Sequence, residues 1–176
     1  MIKNGLQNGK MKNLCGGKKE KRNMRFNLSC GTYRNGLTAA HVKFLEKINE
    51  NSNRGIYLFL DSKERVEEIK EGEFCLSDSD RKTLLSGLSS IENVTIFNSD
   101  HELCEQIQQL YDTLSAYNDG HELEFVFHKG GDYSSTDEIS IKEFINNLSS
   151  VSRVVLAPKM SGISTTQWIQ ELQGKK

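Results

Sequence analysis

Short apolar runs alternate with longer stretches of periodic hydrophobicity along most of this chain. The runs have the length of β-strands and are rich in β-branched and aromatic residues, which favours strands over buried helices. We expect five strands, at residues 25–30, 56–61, 94–97, 123–127 and 153–157.

Apolar residues that recur at helical spacing predict the helices between and after these strands. The four groups are Val42, Leu45 and Ile48; Leu84, Leu85, Leu88 and Ile91; Leu103, Ile107, Leu110 and Leu114; and Trp168, Ile169 and Leu172. Alternating strands and helices require right-handed crossovers and a parallel sheet. The predicted fold is therefore α/β and Rossmann-like, a doubly wound sheet of five parallel strands with helices on both faces.

Glycines follow three of the predicted strands. Gly31 follows the first, Gly130 and Gly131 follow the fourth, and Gly162 lies between the fifth strand and the last helix. In such sheets ligands bind beyond the carboxyl ends of the strands, and glycines and helix N-termini favour anions there. The three loops are expected to meet at one edge and to bind a phosphate-bearing ligand.

The stretch "GISTT" (162–166) places three hydroxyl residues, Ser164, Thr165 and Thr166, where the last helix is expected to begin. One hydroxyl is enough to cap a helix, so N-capping is one interpretation. Three hydroxyls after a glycine, with Lys159 just upstream, also suit a polyphosphate, and we favour this second interpretation.

Charge is unevenly distributed within an overall net charge of −1. Residues 1–25 carry eight Lys or Arg against Glu20 alone, so the remainder of the chain is acidic. The basic tail is typical either of a nucleic-acid arm or of an unfolded leader, and the acidic remainder argues against a nucleic-acid partner. We predict a tail at 1–23 and one globular domain at 24–176.

Cysteine spacing and hydropathy indicate the cellular compartment in which we expect the protein. The four cysteines lie far apart, which excludes the CxxC metal spacing and argues against a dense disulfide framework. No apolar run approaches the roughly 20 residues needed to cross a bilayer. We therefore expect a cytoplasmic protein with no membrane partner.

Together, "GTYRNGLTAAHVKFL" (31–45), "KGGDY" (129–133) and "GISTT" resemble motifs of the HxGH nucleotidyltransferase superfamily, in its cytidylyltransferase-like branch. The branch includes glycerol-3-phosphate cytidylyltransferase and the nucleotidyltransferase domain of the bifunctional ADP-heptose synthase. The stretch 77–97 resembles the family's helix that carries an arginine and leads to the third strand. The family reaction joins a substrate phosphate to the α-phosphate of a nucleoside triphosphate and releases pyrophosphate.

The resemblance implies a role for each matching residue. His41 would donate to the α-phosphate, Lys43 would reach a phosphate, and Arg81 would contact the triphosphate. The other implied nucleotide-binding residues are Gly31, Thr32, Tyr33, Lys129, Gly130, Gly131, Asp132, Gly162, Ile163, Ser164, Thr165 and Thr166. The resemblance also implies magnesium, although no carboxylate cluster in the sequence identifies a metal site.

The opening motif departs from the family pattern of G-x-F-D-x-x-H-x-G-H. One extra residue lies near Asn35 and Gly36, Thr38 replaces the first histidine, and Ala40 replaces the glycine. Thr38 donates a hydrogen bond but carries no positive charge. Arg34 stands where the family has aspartate, and it is a candidate for the missing positive charge.

Two functions remain open. The first is an active nucleotidyltransferase that moves CMP or AMP from CTP or ATP onto a sugar- or polyol-phosphate. The second is a catalytically weak nucleotide-binding relative that acts as a regulatory or interaction module. Residues 62–80 and 134–150 either border the acceptor pocket or form a solvated face. Dimerisation is common in the family, so a homodimer is one partner that the resemblance implies.

Overall fold

The computed structural model describes residues 23–50, 52, 54–69, 76–118, 120–130 and 133–157. The basic tail up to residue 22, the "GISTT" stretch and the helix expected around Trp168 lie outside the described residues.

The described residues contain all five predicted strands, which confirms this part of the sequence interpretation. The strands are β1 (Asn23–Gly31), β2 (Ile56–Asp61), β3 (Ile91–Phe97), β4 (Glu122–Lys129) and β5 (Arg153–Leu156). Their apolar side chains are largely buried, as the near-continuous hydrophobic runs of a covered parallel sheet require.

Within the described ranges, five α-helices connect or flank the strands. They are α1 (Ala39–Asn49), α2 (Lys63–Ile69), α3 (Asp78–Ser86), α4 (Asp100–Tyr117) and α5 (Lys142–Leu148). A 3-10 turn at Thr136–Glu138 precedes α5. Helix α2 lies in residues 62–80 and helix α5 in residues 134–150. These are the two stretches that the sequence suggested either border the acceptor pocket or form a solvated face.

One helix prediction was wrong at its end. Leu88 and Ile91 were assigned to the helix of Leu84 and Leu85, but α3 ends at Ser86. The N–H of Gly87 donates to the carbonyls of Thr83 and Leu85 and closes the last turn. Ile91 instead begins β3, where it pairs with Ile56.

The sheet has the order β3-β2-β1-β4-β5, and every pair of neighbouring strands is parallel. Strand order reverses between β1 and β4, because the chain builds outward from β1 to β3 and then returns to the other side of β1. In doubly wound sheets a crevice for ligands opens at the carboxyl edge where strand order reverses, which in this sheet is between β1 and β4.

Two apolar clusters cover the two faces of the sheet. Helices α1 and α3 pack on one face through residues such as Leu45 and Leu85, and we call this the α1 side. Helices α4 and α5 pack on the other face through residues such as Ile107 and Ile145, which is the α4 side. The doubly wound arrangement predicted from the sequence is confirmed. Among the described helices, none is long and apolar enough to cross a membrane.

Candidate functional site

The crevice between the ends of β1 and β4 brings together residues that the sequence places about a hundred positions apart. Ser29 pairs with His128 in the sheet, so Cys30 and Gly31 lie beside Lys129 and Gly130. The loop after β1 then leads directly into α1. This edge of the sheet is the candidate site.

A tight turn shapes the loop after β1. The N–H of Gly36 donates to the carbonyl of Tyr33 over 3.1 Å, and both residues have positive φ, at 41° for Tyr33 and 93° for Gly36. Glycine adopts this region without penalty, whereas a tyrosine needs surrounding contacts to hold it there. The turn contains Asn35 and Gly36, where the sequence comparison placed the extra residue.

Aromatic rings occupy the space beside two of the site glycines. A Cβ added at Gly31 would lie 2.9 Å from Cε2 of Tyr33, and one added at Gly130 would lie 2.8 Å from Cε2 of Phe44. We expected these glycines to let an anion approach the backbone. In this structure they make room for Tyr33, which is only 6% exposed, and for Phe44.

Thr38 and His41 form a reciprocal cap at the start of α1. The Thr38 hydroxyl accepts from the N–H of His41, and Nδ1 of His41 accepts from the N–H of Thr38 over 3.1 Å. Because Nδ1 is an acceptor, the neutral ring carries its hydrogen on Nε2. Burial lowers the pKa of His41, which keeps the ring neutral at neutral pH. The cap thus gives a neutral Nε2–H donor in the first helical turn.

Tyr33 contacts the imidazole of His41 from the side. The two ring centroids are 5.0 Å apart, and the rings meet edge to face at 63°. Tyr33 and the Thr38 cap therefore hold the imidazole from two directions.

Two basic residues implied by the resemblance lie close to His41 in sequence. Lys43 is exposed on α1, and residues two apart on a helix do not share a face, so Lys43 does not point the same way as His41. Arg34 is partly buried in the turn after Tyr33. The structure brings Arg34 into the loop of the site and leaves Lys43 on a different face of α1.

Arg81 lies inside the protein, with 1% of its surface exposed. Its guanidinium donates to the carbonyls of Thr32 and Asp61 and forms an ion pair with Asp78, at 2.5 Å between Nη2 and Oδ1. Asp78 also accepts from the N–H of Lys63. Arg81 thereby joins the ends of β1 and β2 to α3.

Lys129 ends β4 and lies against Cys30, with 3.0 Å between Nζ and Sγ. Its ammonium also lies 5.3 Å from the centre of the Tyr133 ring. Burial acts to lower the pKa of Lys129, but Cys30, Tyr133 and Asp61 outweigh this effect and raise it. Burial raises the pKa of the Cys30 thiol. At neutral pH the pair is a charged ammonium beside a neutral thiol.

The remaining predicted site residues lie outside the described residues, and their roles stay predictions. They are Gly131, Asp132, Gly162, Ile163, Ser164, Thr165 and Thr166.

The sequence analysis did not identify three residues that lie at this edge: Cys30, Asp61 and Asp78. Strand alternation offered one usable signal, because Cys30 and Lys129 end neighbouring parallel strands and point to the same side of the sheet. Nothing in the sequence pairs Asp61 or Asp78 with Arg81.

Magnesium fits the described residues poorly as a protein-bound ion. Within the described ranges, no group of three or more His, Cys, Asp or Glu side chains is placed to hold a metal. Magnesium prefers several oxygen ligands and commonly enters sites together with substrate phosphates.

The comparisons with known proteins support the fold. No protein-family model matches the chain, and no curated protein matches it. Among solved structures, the chain is similar to the lipopolysaccharide core biosynthesis protein from Thermoplasma volcanium GSS1, with a TM-score of 0.56 and 14% sequence identity. The similarity covers 78% of this chain and 98% of that protein. It supports a Rossmann-like α/β fold over most of the chain.

Proposed function

We propose that the protein is a nucleotidyltransferase that moves CMP or AMP from CTP or ATP onto a sugar- or polyol-phosphate. The observation that carries the proposal is the Nε2–H of His41, held by Thr38 and Tyr33 at the start of α1 beside the crevice where strand order reverses. Helix N-termini and the crevice at a strand-order reversal are both common phosphate sites.

The chemistry asks mainly for positioning and charge stabilisation. An oxygen of the acceptor phosphate forms a bond to the α-phosphorus, the bond from the α-phosphorus to the bridging oxygen breaks, and pyrophosphate leaves with the electron pair. Preorganised donors aimed at the developing charge lower the barrier. In this proposal Nε2–H of His41 is such a donor. Magnesium brought in by the triphosphate would supply further positive charge, and we assign no described residue to hold it.

The structural neighbour supports the biosynthetic part of the proposal. That protein is described as acting in lipopolysaccharide core biosynthesis. Assembly of such sugars uses activated sugar donors, and transfer of a nucleotide to a sugar-phosphate is a reaction that makes them.

A nucleotide-binding module without catalysis is the second candidate, and the opening motif favours it. The Thr38 hydroxyl, which replaces a histidine of the family motif, is engaged in the helix cap. Arg81, which the resemblance assigns to the triphosphate, is engaged with Thr32, Asp61 and Asp78. These engagements remove two groups on which the family reaction relies.

Pyrophosphate release separates the two candidates. The full chain is incubated with magnesium, with CTP or ATP, and with a panel of phosphorylated polyols and sugars. Release that requires both a nucleotide and one acceptor supports the enzyme. Nucleotide binding in a thermal shift assay without release for any pair would contradict it and support the binding module.

His41→Asn tests the role of His41. We expect kcat to fall on the order of a hundredfold, because one donor to the transition state is lost, while nucleotide affinity changes little. The matched control is His101→Asn, because His101 lies on α4 with 84% of its side chain exposed. Unchanged turnover in His41→Asn would remove His41 from the mechanism.

A further inference from the structure

Lys129 is a mostly buried cation with weak partners. An ammonium has three donors, and one of them here meets the Cys30 thiol, which is a poor acceptor. The Tyr133 ring supplies a second soft contact. No carboxylate in the described part of the chain lies within ion-pair distance of Nζ. These contacts and the more distant Asp61 favour the charged ammonium. A charged ammonium whose direct contacts among the described residues are a thiol and an aromatic ring keeps donors for an anion, and charge-assisted contacts to phosphate are strong.

The position of Lys129 indicates which of the two phosphate-bearing substrates it would contact. Phe125 and Phe127 of β4 pack on the α4 side, and alternation along the strand puts Lys129 on that side, as does its contact with Cys30. His41 and Tyr33 lie on the α1 side. Lys129 and His41 therefore flank the crevice from opposite faces of the sheet.

We propose that Lys129 binds the phosphate of the phosphorylated acceptor, while the α1 side with His41 receives the nucleoside triphosphate. The inference rests on the proposed function and replaces the nucleotide role that the resemblance implies for Lys129. The reaction brings two polyanions together, and their repulsion falls if each has its own cation or donor. Binding from opposite faces also lets the acceptor oxygen approach the α-phosphorus from the side away from the leaving pyrophosphate.

Lys129→Met tests the assignment in the full chain, by steady-state pyrophosphate release with the best nucleotide and acceptor. We expect the acceptor KM to rise about 10- to 100-fold, because a charge-assisted contact to phosphate is lost, while the nucleotide KM stays within about twofold. Lys129→Arg keeps the charge and is expected to recover most of the acceptor affinity. Lys47→Met is the matched control, because Lys47 is half exposed near the far end of α1.

The comparison of Lys129→Met with Lys129→Arg separates charge from packing. Both variants change how the side chain packs, but only Lys129→Arg keeps the positive charge. An equal rise of the acceptor KM in the two variants would show that packing causes the effect, and would overturn the inference.

The remaining outcomes distinguish the inference from the proposed function. If the wild-type chain turns over but Lys129→Met raises the nucleotide KM, or changes neither KM, the inference is wrong and the proposed function stands. If the wild-type chain releases no pyrophosphate with any pair, the proposed function itself fails. If Lys129→Met does not fold, Lys129→Gln is read by the same criteria.

Discussion

Arg81, which is buried, and Lys129, which is mostly buried, are two cations at the same edge of the sheet, and they differ in what they contact. The guanidinium of Arg81 meets two backbone carbonyls and the carboxylate of Asp78. The ammonium of Lys129 meets a neutral thiol and an aromatic ring. Both are basic residues in motifs that resemble a nucleotide site, and both were assigned to the nucleotide on that basis.

The difference indicates two different roles. Arg81 has strong acceptors within the chain, and its contacts fix the loop after β1 relative to β2 and α3. We therefore interpret it as a positioning residue. Lys129 has only a thiol and an aromatic ring as direct contacts among the described residues, so its ammonium is the better candidate for contact with a ligand.

The largest effect that we expect in this comparison is on stability. Arg81→Met takes the counter-charge from Asp78, which among the described residues keeps only the N–H of Lys63, and leaves two carbonyls without this donor. An unsatisfied buried acceptor costs about 1–3 kcal/mol, so we expect a loss of roughly 3–5 kcal/mol of unfolding free energy in total. Urea unfolding followed by circular dichroism measures this. Lys129→Met is expected to change the same quantity by less than about 1 kcal/mol, because no strong pair is broken.

Arg153→Met is a matched control for the loss of an arginine. Arg153 pairs with Glu124, but 46% of its side chain is exposed, and such pairs contribute roughly 0–1 kcal/mol. If Arg81→Met were as mild as Arg153→Met, or Lys129→Met as severe as Arg81→Met, the distinction between Arg81 and Lys129 would be lost.

His128 shows a third arrangement for a partly buried basic group, because its lowered pKa keeps it neutral at neutral pH. It lies next to Lys129 in β4, and its Nε2 is 3.1 Å from Oδ1 of Asn27. The amide of Asn27 in turn donates to the carbonyl of Ile48, so Oδ1 is the acceptor and His128 the donor. Burial, with smaller contributions from Arg25 and Arg153, lowers the pKa of His128 to about 4.

The smaller expected effect is the pH dependence that follows from this lowered pKa. Between about pH 6.5 and pH 4 the unfolded chain binds a proton at His128 that the folded protein does not, so stability falls as pH falls through this window. His128→Gln keeps a donor for Asn27 but has no group that titrates in this window. We therefore expect the variant to lose less unfolding free energy than the wild type as pH falls, by on the order of 2 kcal/mol.

Denaturant unfolding of both proteins at several pH values measures the difference. The wild-type protein should lose more stability than His128→Gln between pH 7 and pH 4.5. Parallel pH profiles for the two proteins would mean that His128 titrates normally. His121→Gln serves as the control, because His121 is exposed directly before β4.

Much of the fold could be predicted from the sequence, because the strands of a covered parallel sheet are short apolar runs. All five runs became strands. Ile91 was misassigned because its spacing from Leu84 and Leu88 also fits a helix, whereas pairing with Ile56 is a contact that periodicity does not report. Helices α2 and α5 are only seven residues long, too short for a clear periodic signal.

Less of the site could be predicted, because its contacts are remote in sequence. Arg81 and Thr32 are 49 residues apart, and Lys129 and Cys30 are 99 apart. Motif resemblance identified residues of the right type but not the partners that decide whether each side chain meets a ligand or the protein. Motif resemblance also did not predict that the ring of Tyr33 lies beside Gly31 and the ring of Phe44 beside Gly130.

By itself, the sequence determined the five strands and the two glycine loops, after β1 and β4, that meet at the crevice, because hydrophobic runs and chain direction are local properties. Tertiary structure decided that Arg81 is held by the chain, that Lys129 faces the α4 side, and that Thr38 caps α1 through His41. Hydrogen bonding and burial depend on which residues the folded chain brings within a few ångströms, and that is a property of the whole fold.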